Sequence, residues 1–178
     1  METKGIIRRL DDLGRIVVPK EYRRMLKIEL GDPLEIFTLS NGDIVLRRFD
    51  MSAAVKNEGE LAAAALENET GRTVLVADKT HFVAGAGKGR SDLIGTKLSP
   101  AMIDAMNDFR SINTSAFNDS LGVGLERSGF QYVAFSPITN NSMGYGALAM
   151  FADEPIPEEE ARLTRLTAQL VAINLQRY

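Results

Sequence analysis

The first fifty residues impose the tightest constraint on this chain. They pattern as a ββαββ unit, rich in Ile, Val and Leu, with nothing to staple it. Residues 6–10 and the β-branched run Arg15-Ile16-Val17-Val18 are strand candidates around the turn Asp11-Asp12-Leu13-Gly14, where glycine is free to take positive φ. Pro19 stops the ladder and suits a first helical turn, and Glu21 there complements the helix dipole. Tyr22, Met25 and Leu26 stand at i, i+3 and i+4 and give one apolar helix face. Gly31-Asp32-Pro33 turns the chain. Residues 34–39 and 44–47 then flank Ser40-Asn41-Gly42-Asp43, whose Asn-Gly pair is a strong hairpin signal.

A unit this small buries too little surface to be stable alone without a disulfide or a metal. The 178-residue chain has no cysteine and one histidine, so both staples are missing. A second copy solves the problem, with hairpins from two chains sharing one core. Packing on the rest of its own chain is the other solution. The first is the expectation. The missing cysteines also exclude a thiol nucleophile and cysteine-ligated metals, and a multi-histidine zinc site would need a second chain. No run reaches the roughly 18 apolar residues of a membrane span, and no basic-then-apolar leader opens the chain, so a cytoplasmic protein without a membrane role is expected.

Charge is distributed unevenly. The net charge is −3, yet residues 1–28 hold eight Lys/Arg against four Asp/Glu. A local anion-binding face and an ordinary mixed-charge surface both fit that excess.

From residue 51 the composition changes. Residues 51–71 are alanine-rich and read as a helical connector, although Gly59 disfavours a continuous helix by about 1 kcal/mol. Residues 73–77 and 81–84 flank Asp78-Lys79-Thr80, a hairpin. Ser99 and Pro100 are an N-cap and first residue for a helix to about residue 109, with Leu98 placed to staple onto Ile103. Residues 111–128 carry too little pattern to place. Residues 130–138 and 145–151 form a second hairpin around 139–144. Pro155 and Pro157 precede the final helix, whose first turn is Glu158-Glu159-Glu160. Leu163, Leu166, Leu170 and Ile173 step by 3, 4 and 3 along it, and Val171 and Leu175 add a flanking stripe. So broad a stripe suits packing on another helix, in the same chain or a second one; packing on the domain's own sheet is the alternative.

Several motifs carry no chemistry. Gly85-Ala86-Gly87-Lys88-Gly89-Arg90 fails the phosphate-loop pattern: Phe82 stands at the first glycine and Gly89 at the magnesium-binding hydroxyl. It fails G-x-G-x-x-G because Arg90 takes the third glycine position. His81 lacks an ordered nucleophile or acid and reads as structural. Glu158-Glu159-Glu160 is a helix start, not a metal site. Asn68-Glu69-Thr70, Asn113-Thr114-Ser115 and Asn140-Asn141-Ser142 match the glycosylation pattern and are chance matches if there is no secretion signal. No metal site, resident cofactor or enzyme is expected.

The run Gly5-Ile6-Ile7-Arg8-Arg9-Leu10-Asp11-Asp12-Leu13-Gly14-Arg15-Ile16-Val17-Val18-Pro19-Lys20-Glu21-Tyr22-Arg23-Arg24-Met25-Leu26 closely resembles the DNA-binding domain of the AbrB family of bacterial transition-state regulators. With its longer C-terminal half the chain is similar to the family's sporulation regulators, and residues 56–178 resemble a GAF domain by element order. The resemblance implies a mixed fold: an N-terminal, all-β-rich, swapped-hairpin dimeric barrel over residues 1–51, then an α/β GAF-like domain with flanking helices over 52–178, including a helical linker at 52–70. It implies a regulator, activator or repressor, of forespore genes that binds double-stranded, AT-rich DNA. The implied contacts are Arg8, Arg15, Arg23 and Arg24; charge and position add Lys4 and Arg9. It implies a homodimer through the barrel. A homotetramer through the GAF helices and an unidentified small-molecule effector are left open. The cysteine-dependent GAF chemistries are excluded. An antitoxin whose main partner is another protein is the alternative, although such barrels end in short disordered tails.

Overall fold

The computed structural model describes residues 5–30, 32–115, 129–140 and 143–177. The chain divides into two compact units, Met1–Phe49 and Asp50–Tyr178.

The first unit holds helix α1 (Lys20–Met25) and strands β1 (Leu34–Thr38) and β2 (Ile44–Arg48). The two strands pair antiparallel, Leu34 opposite Arg48 and Thr38 opposite Ile44. Their turn forms as its Asn-Gly pair dictates: Gly42 takes φ 88, its N–H donates to Leu39 O, and Asn41 Oδ1 accepts from the Asp43 N–H. The earlier turn forms too, with Gly14 at φ 73 and Asp11 N–H donating to Arg15 O at 3.0 Å. The expected strands at 6–10 and 15–18 are corrected here, since neither joins a ladder. Strand-favouring composition makes a strand only where a neighbouring edge pairs with it, and beyond the Asp11–Arg15 bond these two runs form no ladder. No described residue of this unit is buried; Ile7 and Leu30 are 89% and 90% exposed.

The second unit is a three-layer sandwich. Helix α2 (Met51–Thr70) leads, followed by β3 (Thr73–Ala77), β4 (Phe82–Ala86), the short α3 (Arg90–Leu93), α4 (Pro100–Asn107), β5 (Ile112–Ser115), β6 (Tyr132–Thr139), β7 (Gly144–Ala152) and α5 (Glu158–Leu175). The strands form one antiparallel sheet in the order β4-β3-β7-β6-β5. Side chains alternate across it. Leu75, Ala77, Phe82, Val133, Phe135 and Phe151 pack with Leu93 of α3 and Met102, Ala105 and Met106 of α4. Helices α2 and α5 pack on the sheet and on each other.

Asp50 caps α2 by accepting from the Ala53 N–H, and Gly71 closes it in the left-handed region at φ 68. Gly59 sits inside this continuous helix because it touches β3; a Cβ there would collide with Val76 Cγ1. Ser99 Oγ caps α4 as expected, accepting from the Met102 N–H at 3.2 Å. That helix ends at Asn107, two residues before the expected point, where Phe109 turns left-handed at φ 54. Leu98 and Ile103 both pack against the core. Within the stretch left unplaced, 112–115 form edge strand β5, while 116–128 lie outside the described residues. Asn141 and Ser142 of the last glycosylation match also lie outside them.

Helix α5 resolves its two stripes. Ala161, Thr164, Ala168, Val171, Ala172 and Leu175 are buried. The principal stripe of Leu163, Leu166, Leu170 and Ile173 faces solvent, with the last three 53–54% exposed. Arg72 ties the helix start to the sheet: its Nε lies 3.1 Å from Glu160 Oε2 and its Nη2 lies 3.0 Å from Glu154 Oε1. Burial disfavours its charge, but Glu154 and Glu160 outweigh that and hold it more firmly protonated.

Candidate nucleic-acid interface

The expected DNA-contacting residues all belong to the first unit. Lys4 lies outside the described residues. Arg8, Arg9, Arg15 and Arg24 are exposed and Arg23 is half-buried. Arg8 Nη1 donates to the carbonyl of Ile7 at 3.2 Å. Arg15 closes the first turn: its Nε donates to Asp11 Oδ2 at 2.7 Å and its backbone N–H to Asp11 Oδ1 at 2.8 Å. These bonds, led by the backbone N–H, lower the Asp11 pKa. Arg15 is therefore held at the turn rather than left to sweep through solvent.

Arg23 and Arg24 stand on α1. They are joined by Lys20 and Lys27, which were not among the expected residues, in a surface recess of about 430 Å³ also lined by Ile28 and Glu29. The sequence signal was available, because 20, 23, 24 and 27 are i, i+3, i+4 and i+7. By contrast, the arginines of β2 are engaged. Arg47 Nε donates to Glu35 at 2.7 Å and its guanidinium lies 5.2 Å from the Phe37 ring centre, while Arg48 lies 3.6 Å from Asp32. Among the described residues, no carboxylate lies within ion-pair distance of Arg8, Arg9, Arg23 or Arg24. These four guanidinium groups carry no carboxylate partner among the described residues, which suits them to phosphate oxygens or guanine edges.

The second unit offers no comparable chemistry among its described residues. Thr73 Oγ1 donates to Lys88 O at 2.6 Å and Gly87 packs against Thr73 Cα, so the glycine-rich stretch is fastened to β3. His81 Nδ1 bonds Thr80 Oγ1 at 2.9 Å in the β3–β4 turn. Its backbone N–H, that of Thr80 and the Ser52 hydroxyl all donate to Asp78. Burial pushes the Asp78 pKa up, but these bonds reverse the effect and leave it lowered. Between sheet and α4 the space is filled by core side chains, including Phe82 and Phe151 in edge contact at 5.8 Å. No described cluster of His, Asp or Glu could hold a metal, and no described helix is long and apolar enough to cross a membrane.

The family model for the C-terminal domain of stage V sporulation protein T, a transcription factor, matches residues 59–176. The stage V sporulation protein T of Bacillus subtilis (strain 168) is 32% identical over 179 residues, 99% of each chain. The chain belongs to the stage V sporulation protein T family. Members of this family are transcription factors, so the chain is a transcription regulator and not an enzyme. Residues 7–48 match the model for MazE, a bacterial antitoxin of antidote-toxin recognition. The transition state regulatory protein AbrB of the same Bacillus is 36% identical over 75 residues, 42% of this chain and 77% of its own. Among solved structures, the GAF-B domain of DevS from Mycobacterium smegmatis aligns with a TM-score of 0.55 at 18% identity, covering 72% of this chain and 94% of its own. That likeness shows a GAF-like fold. With the AbrB-type match it gives the mixed architecture expected from the sequence.

Proposed function

We propose that the chain is a DNA-binding regulator of sporulation genes, acting in the forespore cytoplasm. Residues 1–51 form the DNA-binding domain; 52–178, with a helical linker at 52–70, form the assembling domain. Two first units share one core as a swapped-hairpin barrel. The observation that carries this reading is that the first unit exposes its apolar side chains and its arginines together, with none of its described residues buried. Pairing covers the apolar side chains, and two-fold symmetry doubles the arginines. Arg8, Arg15, Arg23 and Arg24, with Lys4 and Arg9, meet phosphates and base edges of AT-rich duplexes, where groove shape and deformability do much of the selecting. Arg15→Ala and Arg23→Ala each weaken binding to an AT-rich duplex and flatten its salt dependence. Gel shifts unchanged in both variants would refute the assignment.

The exposed stripe of α5 supports a second interface, through which two dimers join as a tetramer. A thermal-shift screen of nucleotides and metabolites on the full chain decides between sensing and pure assembly, because a bound effector raises the melting temperature of the second unit. The MazE match at 7–48 favours one further reading, an antitoxin-like protein with a protein partner. Co-purification of a small, tightly bound toxin would support that reading.

A further inference from the structure

The DNA-binding reading above leaves open what α1 does on the duplex. Lys20, Arg23, Arg24 and Lys27 lie along one side of a short helix and its end, four cations facing a recess with one carboxylate, Glu29. Two observations point to an anion there. First, the Arg23 Nε is shielded from solvent and has no hydrogen-bond partner among the described residues. A guanidinium keeps its proton, so what it lacks is an acceptor. Second, Lys27 occupies a position that favours glycine. It takes φ 53, its N–H donates to Arg24 O at 3.3 Å, and the Ile28 N–H donates to Arg23 O at 2.8 Å. This pair of bonds is the Schellman ending, whose left-handed residue is usually glycine. A lysine held in that conformation brings a cation to the recess at the expense of local strain.

We infer that Lys20, Arg23, Arg24 and Lys27 form a clamp for DNA backbone phosphate, in which Lys20 and Lys27 are sequence-independent contacts. The inference rests on the DNA-binding reading. The hairpin arginines are left to face the bases. A lysine ammonium is a compact point charge suited to a phosphate oxygen, and it carries no base-reading geometry.

The test uses the full-length chain, with fluorescence anisotropy across a salt series on an AT-rich and a GC-rich duplex of equal length. Lys20→Gln and Lys27→Gly each make the slope of log affinity against log salt shallower, by about 0.9 for each phosphate no longer neutralised. Both lower affinity for the two duplexes by the same factor. Lys27→Gly does so while melting no lower than the parent, because glycine relaxes the turn. A slope unchanged in either lysine variant overturns the clamp, as does a changed preference between the duplexes. A slope that flattens only together with a fall in melting temperature assigns Lys27 to the helix end and overturns its phosphate role. If the parent binds neither duplex, the DNA-binding reading itself fails. If Arg15→Ala weakens binding while the lysine variants match the parent, only the clamp fails.

Discussion

A methyl group at Gly59 would collide with Val76 Cγ1, and Val76 is fully buried on a β-branched, stiff side chain. Gly59→Ala gains about 1 kcal/mol of helix propensity and loses about 1–3 kcal/mol to overpacking. The loss wins: the variant should melt lower than the parent, and Val76→Ala in the same chain should restore part of the difference. From sequence, this glycine is only a weak point in a helix; its reason lies across the interface with β3. Asp78 makes a pH prediction. Its pKa is lowered from the ordinary 3.8 in the folded chain, so on acidification the unfolded chain takes the proton first. The stability it contributes is complete above that ordinary value and disappears as pH falls through the folded value. Asp78→Asn should therefore lower the melting temperature near neutral pH, with the gap to the parent closing below about pH 4. Calorimetry across pH checks this, and a gap independent of pH refutes it.

At the scale of elements, α5 was legible where its signals are local. Pro157 and the three glutamates mark its start, and the 3–4–3 stepping marks its apolar side. Which stripe the domain buries was not legible, because the sheet accepts the smaller set of Ala161, Thr164 and Ala168 beside Val171 and Leu175. The outward set predicts its own experiment. Leu166→Glu should halve the mass seen by light scattering, from tetramer to dimer, while the circular dichroism stays that of the parent. A variant that keeps its mass removes α5 from the assembly. The same contrast holds in the first unit. Turns at Gly14 and Gly42 follow from residues within four positions of each other, so the sequence shows them. Residues 6–10 and 15–18 have strand-like composition, but composition does not say whether a neighbouring edge is there to pair, and neither run joins a ladder. Elements of four residues, α3 and β5, are too short for a period to register. The cations of the first unit are legible as charge, whereas the grouping of Lys20 and Lys27 with Arg23 and Arg24 needs the helical spacing as well as the count.

Across the whole molecule, every buried apolar side chain described lies between Ala54 and Leu175. The two units should therefore respond differently to dilution. The second carries its own core, and its melting temperature should not depend on protein concentration if α5 is blocked by Leu166→Glu. In that variant the first unit should melt at a temperature that rises with concentration, as mass action requires of a fold completed by a second chain. Differential scanning calorimetry at several concentrations reads both, and a first transition that stays fixed on dilution counts against pairing.

The uncovered Ile7, Val17 and Leu30 carry a consequence for assembly. If first units pair as proposed, a chain that has not met a second copy leaves these side chains in water, and the share of paired chains should climb more steeply than the chain concentration, because pairing is second order in the chain.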